Sequence, residues 1–400
     1  MTAAFGAMWS SLSGVGRAAR TGGYRRYAWT RVDHELREWF AGEASARRLD
    51  LTVDRAGNQW VWWGDADAAA AAGNPGVVAG SHLDSVPDGG AFDGPLGVVS
   101  AFAALDLLLS RGVAPRRPVG VVNFVDEEGA RFGVACAGSR LITGALAPDA
   151  ARALRDGDGV SMGEALRAAG RSADELGRDD EALRRVGTFV ELHVEQGRRL
   201  VDLGAPVGVA SSIWAHGRWR AALPGEANHA GTTRIEDRRD PMLGYARLVL
   251  AARDAAVRHG AVATCGKVLV EPNGINAIPS AVTGWLDARG ASPDAVRAVL
   301  AELSALVEAE GGTLIQESWT DETAFTPALR DRLAARLDAP VLATGAGHDA
   351  GILANAGVAT AMLFVRNPTG VSHSPAEFAE PADCAAGVEA LADVLAGLTT

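Results

Sequence analysis

The chain has 400 residues, of which 48% are hydrophobic and 22% charged, a composition that excludes a disordered polypeptide and leaves room for two or three domains. Its 38 basic and 49 acidic residues give a net charge of −11, which argues against nucleic acid or an anionic membrane surface as a partner. Three scattered cysteines without a CxxC pair exclude a disulfide framework or a Cys-based zinc site, and no secretory signal or membrane span is expected, so the expected location is the reducing cytoplasm.

In chain order, the basic and aromatic stretch Gly22-Gly-Tyr-Arg-Arg-Tyr27 reads as a strap over the core. Leu36, Trp39, Phe40 and Ala44 have helical spacing and predict a helix over 32–48. Alternation over 50–63, broken by Arg55-Ala-Gly-Asn58, predicts a hairpin, with Trp60, Trp62 and Trp63 packing its strands. Residues 68–72 read as an Ala-rich loop. A short apolar run at 76–79 predicts a buried strand that ends in Gly80-Ser-His-Leu-Asp-Ser-Val-Pro-Asp-Gly-Gly-Ala-Phe-Asp-Gly-Pro-Leu-Gly97. An apolar helix follows over 97–109, then a buried strand over 118–125 that runs into Asp126-Glu127-Glu128-Gly129.

Residues 147–185 are polar and read as a peripheral insert. The strand over 189–197 puts Glu191, His193 and Glu195 on one face. From 213 onward the predicted order is strand, helix, strand, strand, helix, strand, the ferredoxin-like pattern. The expected organisation is a catalytic domain in two parts, 1–212 and 323–400, around an inserted domain at 213–322. The last part carries Gly345-Ala-Gly-His-Asp-Ala350, Gly370-Val-Ser-His-Ser-Pro-Ala-Glu377 and a final helix over 382–398.

In a sheet of the strand-helix-strand type, chemistry collects beyond the carboxyl ends of the strands. His82, Asp93, Glu127, Glu128, His193 and His373 all fall in such loops or strand ends. Imidazoles and carboxylates suit Zn²⁺ or Mn²⁺, with Co²⁺ or Ni²⁺ as alternatives, and Asp93 can bridge two ions. With Glu128 as a ligand, its neighbour Glu127 remains free to take a proton from water.

Together with Gly225-Glu-Ala-Asn-His-Ala-Gly-Thr-Thr233, Asn276-Ala-Ile-Pro279 and Ser372-His-Ser-Pro375, these motifs resemble the allantoate amidohydrolase and N-carbamoyl-L-amino-acid hydrolase family of binuclear metallohydrolases. The resemblance runs from Gly22 to the last helix. It implies an α/β fold with a mixed-sheet, zinc-peptidase-like catalytic domain and an inserted ferredoxin-like lid and dimerisation domain. It implies two divalent ions per subunit: one on His82, Asp93 and His193, the other on Asp93, Glu128 and His373, with Asp84 orienting His82. Glu127 is implied as general acid/base and His229 as oxyanion donor, in its own or a partner's site. Gln196 is implied at the ureido group, and Asn276 and Arg289 at the substrate carboxylate.

Two departures bear on substrate choice. Gly231-Thr-Thr-Arg-Ile235 replaces the common Gly-Thr-Thr-Pro-Met, and His216 stands where Gly-Gln is common, either packing or touching substrate. A turn-capping role competes for His229, and His348-Asp349 reads as a supporting pair. The expected function is cleavage of the ureido C–N bond of allantoate by a homodimer. An N-carbamoyl- or N-formyl-L-amino acid is the alternative substrate, and a dipeptidase-like enzyme or a non-catalytic protein of the same fold are the further alternatives.

Overall fold

The computed structural model describes residues 3–400. These fold into two compact units. The first holds the described residues up to 211, together with Ala324–Leu342 and Gly347–Thr400; the second holds Ser212–Thr323 and Ala343–Ala346.

The first unit is built on a mixed sheet of nine strands. The spatial order is Asp50–Val53, Gln59–Trp63, Val119–Phe124, Gly76–His82, Val186–Val194, Ala359–Val365, Val207–Ile213 and Thr323–Ala324, with Val341–Thr344 pairing beside Val207–Ile213. The central strands Val119–Phe124, Gly76–His82, Val186–Val194 and Ala359–Val365 run parallel, and antiparallel strands flank them. Gly76–His82 and Val119–Phe124 are buried along their whole length, which is why they read as continuous apolar runs rather than alternating ones. Helix Pro95–Ser110 opens on a proline at its first turn and is apolar on nearly every side, because it is covered by sheet and neighbouring helices together.

Two segments depart from expectation. Residues 68–72 belong mostly to a helix, Ala66–Ala71, because the Asp65 side chain accepts the Ala68 N–H and caps a run of the best helix formers. Helix Ala3–Leu12, which no pattern predicted, buries Phe5, Met8 and Leu12 in the main core, worth about 1.5–3 kcal/mol per side chain. The strap behaves as expected: Tyr24 bridges Gly89, and the Arg26 guanidinium is buried while donating to Leu12 O and Val15 O.

The second unit is a four-stranded antiparallel sheet in the order Thr313–Thr320, Ala215–Pro224, Ala281–Gly290, Val262–Glu271, with helices Pro241–His259 and Pro293–Ala309 packed into its own core. Alternate residues of Ala281–Gly290 are buried, as a sheet covered on one face requires. Among the described residues, no helix is long and apolar enough to cross a membrane.

Candidate metal centre

His82 ends strand Gly76–His82, and Glu127 and Glu128 follow Val119–Phe124. His193 lies next to the end of Val186–Val194, and His373 lies in the loop after Ala359–Val365. Register sets His82 beside Phe124 and His193 beside Phe364, so the parallel strands deliver these side chains to one edge of the sheet. Asp93 comes from the loop ahead of helix Pro95–Ser110. Gly94, at φ +83, lets that loop lie against the His82 ring; a Cβ there would sit 2.4 Å from His82 Cε1. Both Asp126 and His373 hold φ 54°, a costly conformation for a side-chain-bearing residue and one that recurs at functional sites.

Two clusters form around Asp93. His82, Asp93 and His193 offer ligand atoms within 4.8 Å of one another, and so do Asp93, Glu128 and His373. Asp93 Oδ1 lies 3.5 Å from His82 Nε2 and 3.1 Å from His193 Nε2, while Oδ2 lies 3.4 Å from His373 Nε2. Glu128 Oε2 is 3.7 Å from His373 Nε2. Glu127 is a member of neither cluster, and its Oε2 lies 3.6 Å from His82 Nε2.

The hydrogen bonding says what these atoms need. His82 Nδ1 faces the carbonyl of Asp84 at 3.1 Å, and His193 Nδ1 faces that of Val194 at 2.9 Å. A carbonyl only accepts, so each Nδ1 carries a proton, and Nε2 is the nitrogen that offers a lone pair once the ring is neutral. Both Nε2 atoms are buried, without an aligned hydrogen-bond partner among the described residues, and both face Asp93 Oδ1. Two imidazole nitrogens and a carboxylate oxygen that converge in a buried space call for positive charge, supplied by a metal ion or by protons. In the second cluster the Gln196 amide nitrogen supplies the positive end. It lies 2.9 Å from Asp93 Oδ2, 3.1 Å from Ser372 Oγ and 3.3 Å from His373 Nε2. The residues therefore fit divalent metal bound through nitrogen and oxygen.

The ionisation of the metal-free site points the same way. Burial lowers the His82 pKa, but Glu127, Asp84 and Asp93 outweigh it and hold the ring well above its ordinary value. Burial would raise Asp93, yet His193, His373 and His82 pull it well below the usual carboxylate range. The Asp93 bond lifts His373 to about 9. Burial, then Asp93, raises Glu128 to about 7, and burial keeps Glu127 well above the ordinary range. A cluster without an ion thus gathers protons in its place.

The remaining expected residues fall as follows. Asp84 touches His82 Nδ1 at 3.4 Å and also accepts the backbone N–H groups of Glu127 and Glu128. His216, His229, Asn276 and Arg289 belong to the second unit. His229 Nδ1 accepts the N–H groups of Gly231 and Thr232, which places the ring proton on the exposed Nε2 as a donor. The Asn276 carbonyl accepts the Ala230 N–H. Arg289 gives two hydrogen bonds to Asp287 and one to Gly345 O, which leaves one N–H on each terminal nitrogen unengaged among the described residues. His216 is half-buried with Nδ1 against Trp214 O, and Arg234 pairs locally with Asp237 and Glu236.

The stripe on strand Val186–Val194 divides. Only His193 faces Asp93. Glu191 accepts Ser81 OH and Ala350 N–H, and Glu195 caps the N–H groups of Arg199 and Leu200. His348 packs its ring on His193 with centroids 4.5 Å apart, and burial, then the neighbouring His193, pushes its pKa well below the ordinary value. Three contributors carried no signal strong enough to single them out: Cys136, whose thiol donates to Glu127 Oε1 at 3.2 Å, and Ser372 with Glu377, which join the Asp93 and His373 loops.

Residues 78–397 match the family model for peptidase family M20/M25/M40. The chain is 36% identical to an N-carbamoyl-L-amino acid amidohydrolase of Geobacillus stearothermophilus, over 96% of each chain. It is 34% identical to an allantoate amidohydrolase of Escherichia coli K12, over 94% of this chain and 92% of that one. Among solved structures it resembles an amidase of the hydantoinase/carbamoylase family from Burkholderia vietnamiensis, with a TM-score of 0.86 at 30% identity, covering 99% of this chain and 97% of that one.

Proposed function

This chain belongs to peptidase family M20/M25/M40 and is a hydrolase of carbon–nitrogen bonds, and from that premise we propose that it cleaves the ureido C–N bond of a small ureido acid. Allantoate is the first candidate; the Geobacillus relative sets N-carbamoyl-L-amino acids beside it. The observation that carries the reading is Asp93. Its two oxygens face two nitrogen-and-oxygen clusters, while Glu127, a carboxylate in neither, lies beside His82.

We infer one ion held by His82, Asp93 and His193 and a second by Asp93, Glu128 and His373, either Zn²⁺ or Mn²⁺. When bound, such ions polarise the carbonyl and make water more acidic. Glu127 accepts the proton of the attacking water and returns it to the leaving nitrogen. Its position for both steps is held by the Cys136 thiol and by Asp84 behind its backbone. The N–H groups that remain on the two terminal nitrogens of Arg289 suit a substrate carboxylate, and Asn276 shares this role. His229, with its proton on Nε2, donates to the developing oxyanion.

A homodimer through the second unit completes the proposal. Leu243, Leu250 and Val257 recur every seventh residue on helix Pro241–His259 and are 57%, 67% and 74% exposed. Strand Val262–Glu271 lies at the sheet edge and exposes Val262, Val268 and Leu269. An open edge beside an apolar stripe suits a second copy of the same surface.

The test is ammonia release from allantoate and from a panel of N-carbamoyl-L-amino acids, with formate release from N-formyl-L-amino acids and free amino acid from dipeptides measured in parallel. The protein is stripped with a chelator and then reloaded with Zn²⁺ or Mn²⁺. Metal-dependent ammonia release that falls 10²- to 10⁴-fold in Glu127→Gln supports the reading. Cleavage of dipeptides alone makes the protein a peptidase, and Glu127→Gln with full turnover removes the general base.

A further inference from the structure

Glu377 is 4% exposed, carries a carboxylate, and belongs to neither ligand cluster. Its Oε1 accepts the backbone N–H of Phe92 at 2.8 Å and of Asp93 at 2.9 Å. Its Oε2 accepts Ser372 OH at 3.1 Å, next to His373. Its own N–H closes a turn onto Ser374 O at 3.0 Å, so the carboxylate is held from both ends. Space for it is made at Gly90, where a Cβ would meet Oε1 at 2.3 Å and the Glu377 Cβ at 2.5 Å. The rings of Phe92 and Phe378 meet edge to face, 6.0 Å apart, and fasten the same two segments by an apolar contact.

We propose that Glu377 is a positioning residue that ties the Asp93 loop to the His373 loop and sets the spacing of the Asp93–Glu128–His373 cluster. The proposal rests on the two-ion reading given above. The loops are 284 residues apart in the chain and share no strand, so their separation is decided only by contacts that cross between them. His373 needs such a contact most. Its backbone is in the left-handed region and its side chain is 52% exposed, so neither local conformation nor packing fixes where its Nε2 lies. Glu377 reaches it through Ser372. His82 and His193 are placed differently, each fixed by a buried strand and by a carbonyl behind the ring. Loss of Glu377 therefore acts unequally on the two clusters. A residue that merely stabilised the fold would lower both affinities together.

The test is equilibrium Mn²⁺ binding to chelator-stripped full-length protein, read by electron paramagnetic resonance of the free ion, alongside thermal unfolding of the metal-free protein. Glu377→Ala is expected to weaken one class of Mn²⁺ 10- to 100-fold and leave the other within about threefold. In Glu377→Gln the amide oxygen still accepts both N–H groups and the amide nitrogen can donate to Ser372, so its binding is expected to stay near wild type. Ser372→Ala cuts the link at one bond and is expected to weaken the same class by a smaller factor, which keeps the test open if Glu377→Ala does not fold. Variants that bind both ions as wild type does, or lose both equally, overturn the proposal while the two-ion reading stands. A wild-type protein that binds fewer than two Mn²⁺ ions removes that reading and the proposal with it.

Discussion

Asp84 and Glu127 are bound through the backbone: Asp84 Oδ1 accepts the Glu127 N–H at 3.1 Å. Its other oxygen accepts the Glu128 N–H at 3.0 Å, so one carboxylate holds the turn that carries both glutamates and stands behind His82 as well. In Asp84→Asn one oxygen becomes an amide nitrogen, and one of the two N–H groups then faces a donor. Metal affinity and turnover are expected to fall 10- to 100-fold, as for other residues that orient ligands. Metal content after dialysis and kcat measured at saturating metal separate the two effects. Unchanged values in both would show that the turn holds itself.

Gly94→Ala puts a methyl group 2.4 Å from the His82 ring, at a φ that L-residues resist. Crowding of this kind costs about 1–3 kcal/mol, and the ring can yield only by leaving its bond to Asp84 O. We expect a lower melting temperature for the metal-free protein and, beyond that, weaker binding at the His82 cluster. Wild-type metal affinity in a destabilised variant would place the strain elsewhere in the loop.

Metal uptake should release protons. Without an ion His373 titrates at about 9 and Glu128 at about 7, so at pH 7 the His373 ring is protonated and must lose that proton to bind metal. These folded-state values lie above the ordinary ones, so affinity rises with pH and levels off above about 9. Below pH 7 the Glu128 proton adds to the competition and the slope steepens. Each displaced proton costs about tenfold in affinity per pH unit. Calorimetric titrations in buffers of different ionisation enthalpy count these protons, and none released between pH 6 and 9 would contradict the ligand set.

Leu250 is the central residue of the exposed stripe on helix Pro241–His259. Leu250→Arg is expected to convert the proposed dimer to a monomer in sedimentation or size-exclusion measurements. The melting temperature of a residue this exposed should move little. A wild-type protein that is already monomeric would refute the proposed interface directly.

Much of the site could be read from sequence because its chemistry is local. His82 and His193 lie at the ends of strands, and the Asp-Glu-Glu turn follows one, whose apolar runs are visible along the chain, and the carboxyl ends of parallel strands are where such chemistry collects. The same reasoning overreached at Glu195. Alternation along a strand places it on the His193 face but says nothing of the helix at Arg199–Leu203 whose N–H groups it caps.

The amino-acid sequence by itself determined most of the main strands and helices and the candidate ligands, though not helices Ala3–Leu12 and Ala66–Ala71, because burial periodicity and residue chemistry act over a few neighbours. Only the tertiary structure decided that Asp93 turns its two oxygens to two different clusters. It also decided that Asp84 reaches across 43 residues to hold the Glu127 turn, and that Glu377 joins loops 284 residues apart. Those bonds depend on where parallel strands end relative to one another, and register between distant strands leaves no periodic mark along the chain.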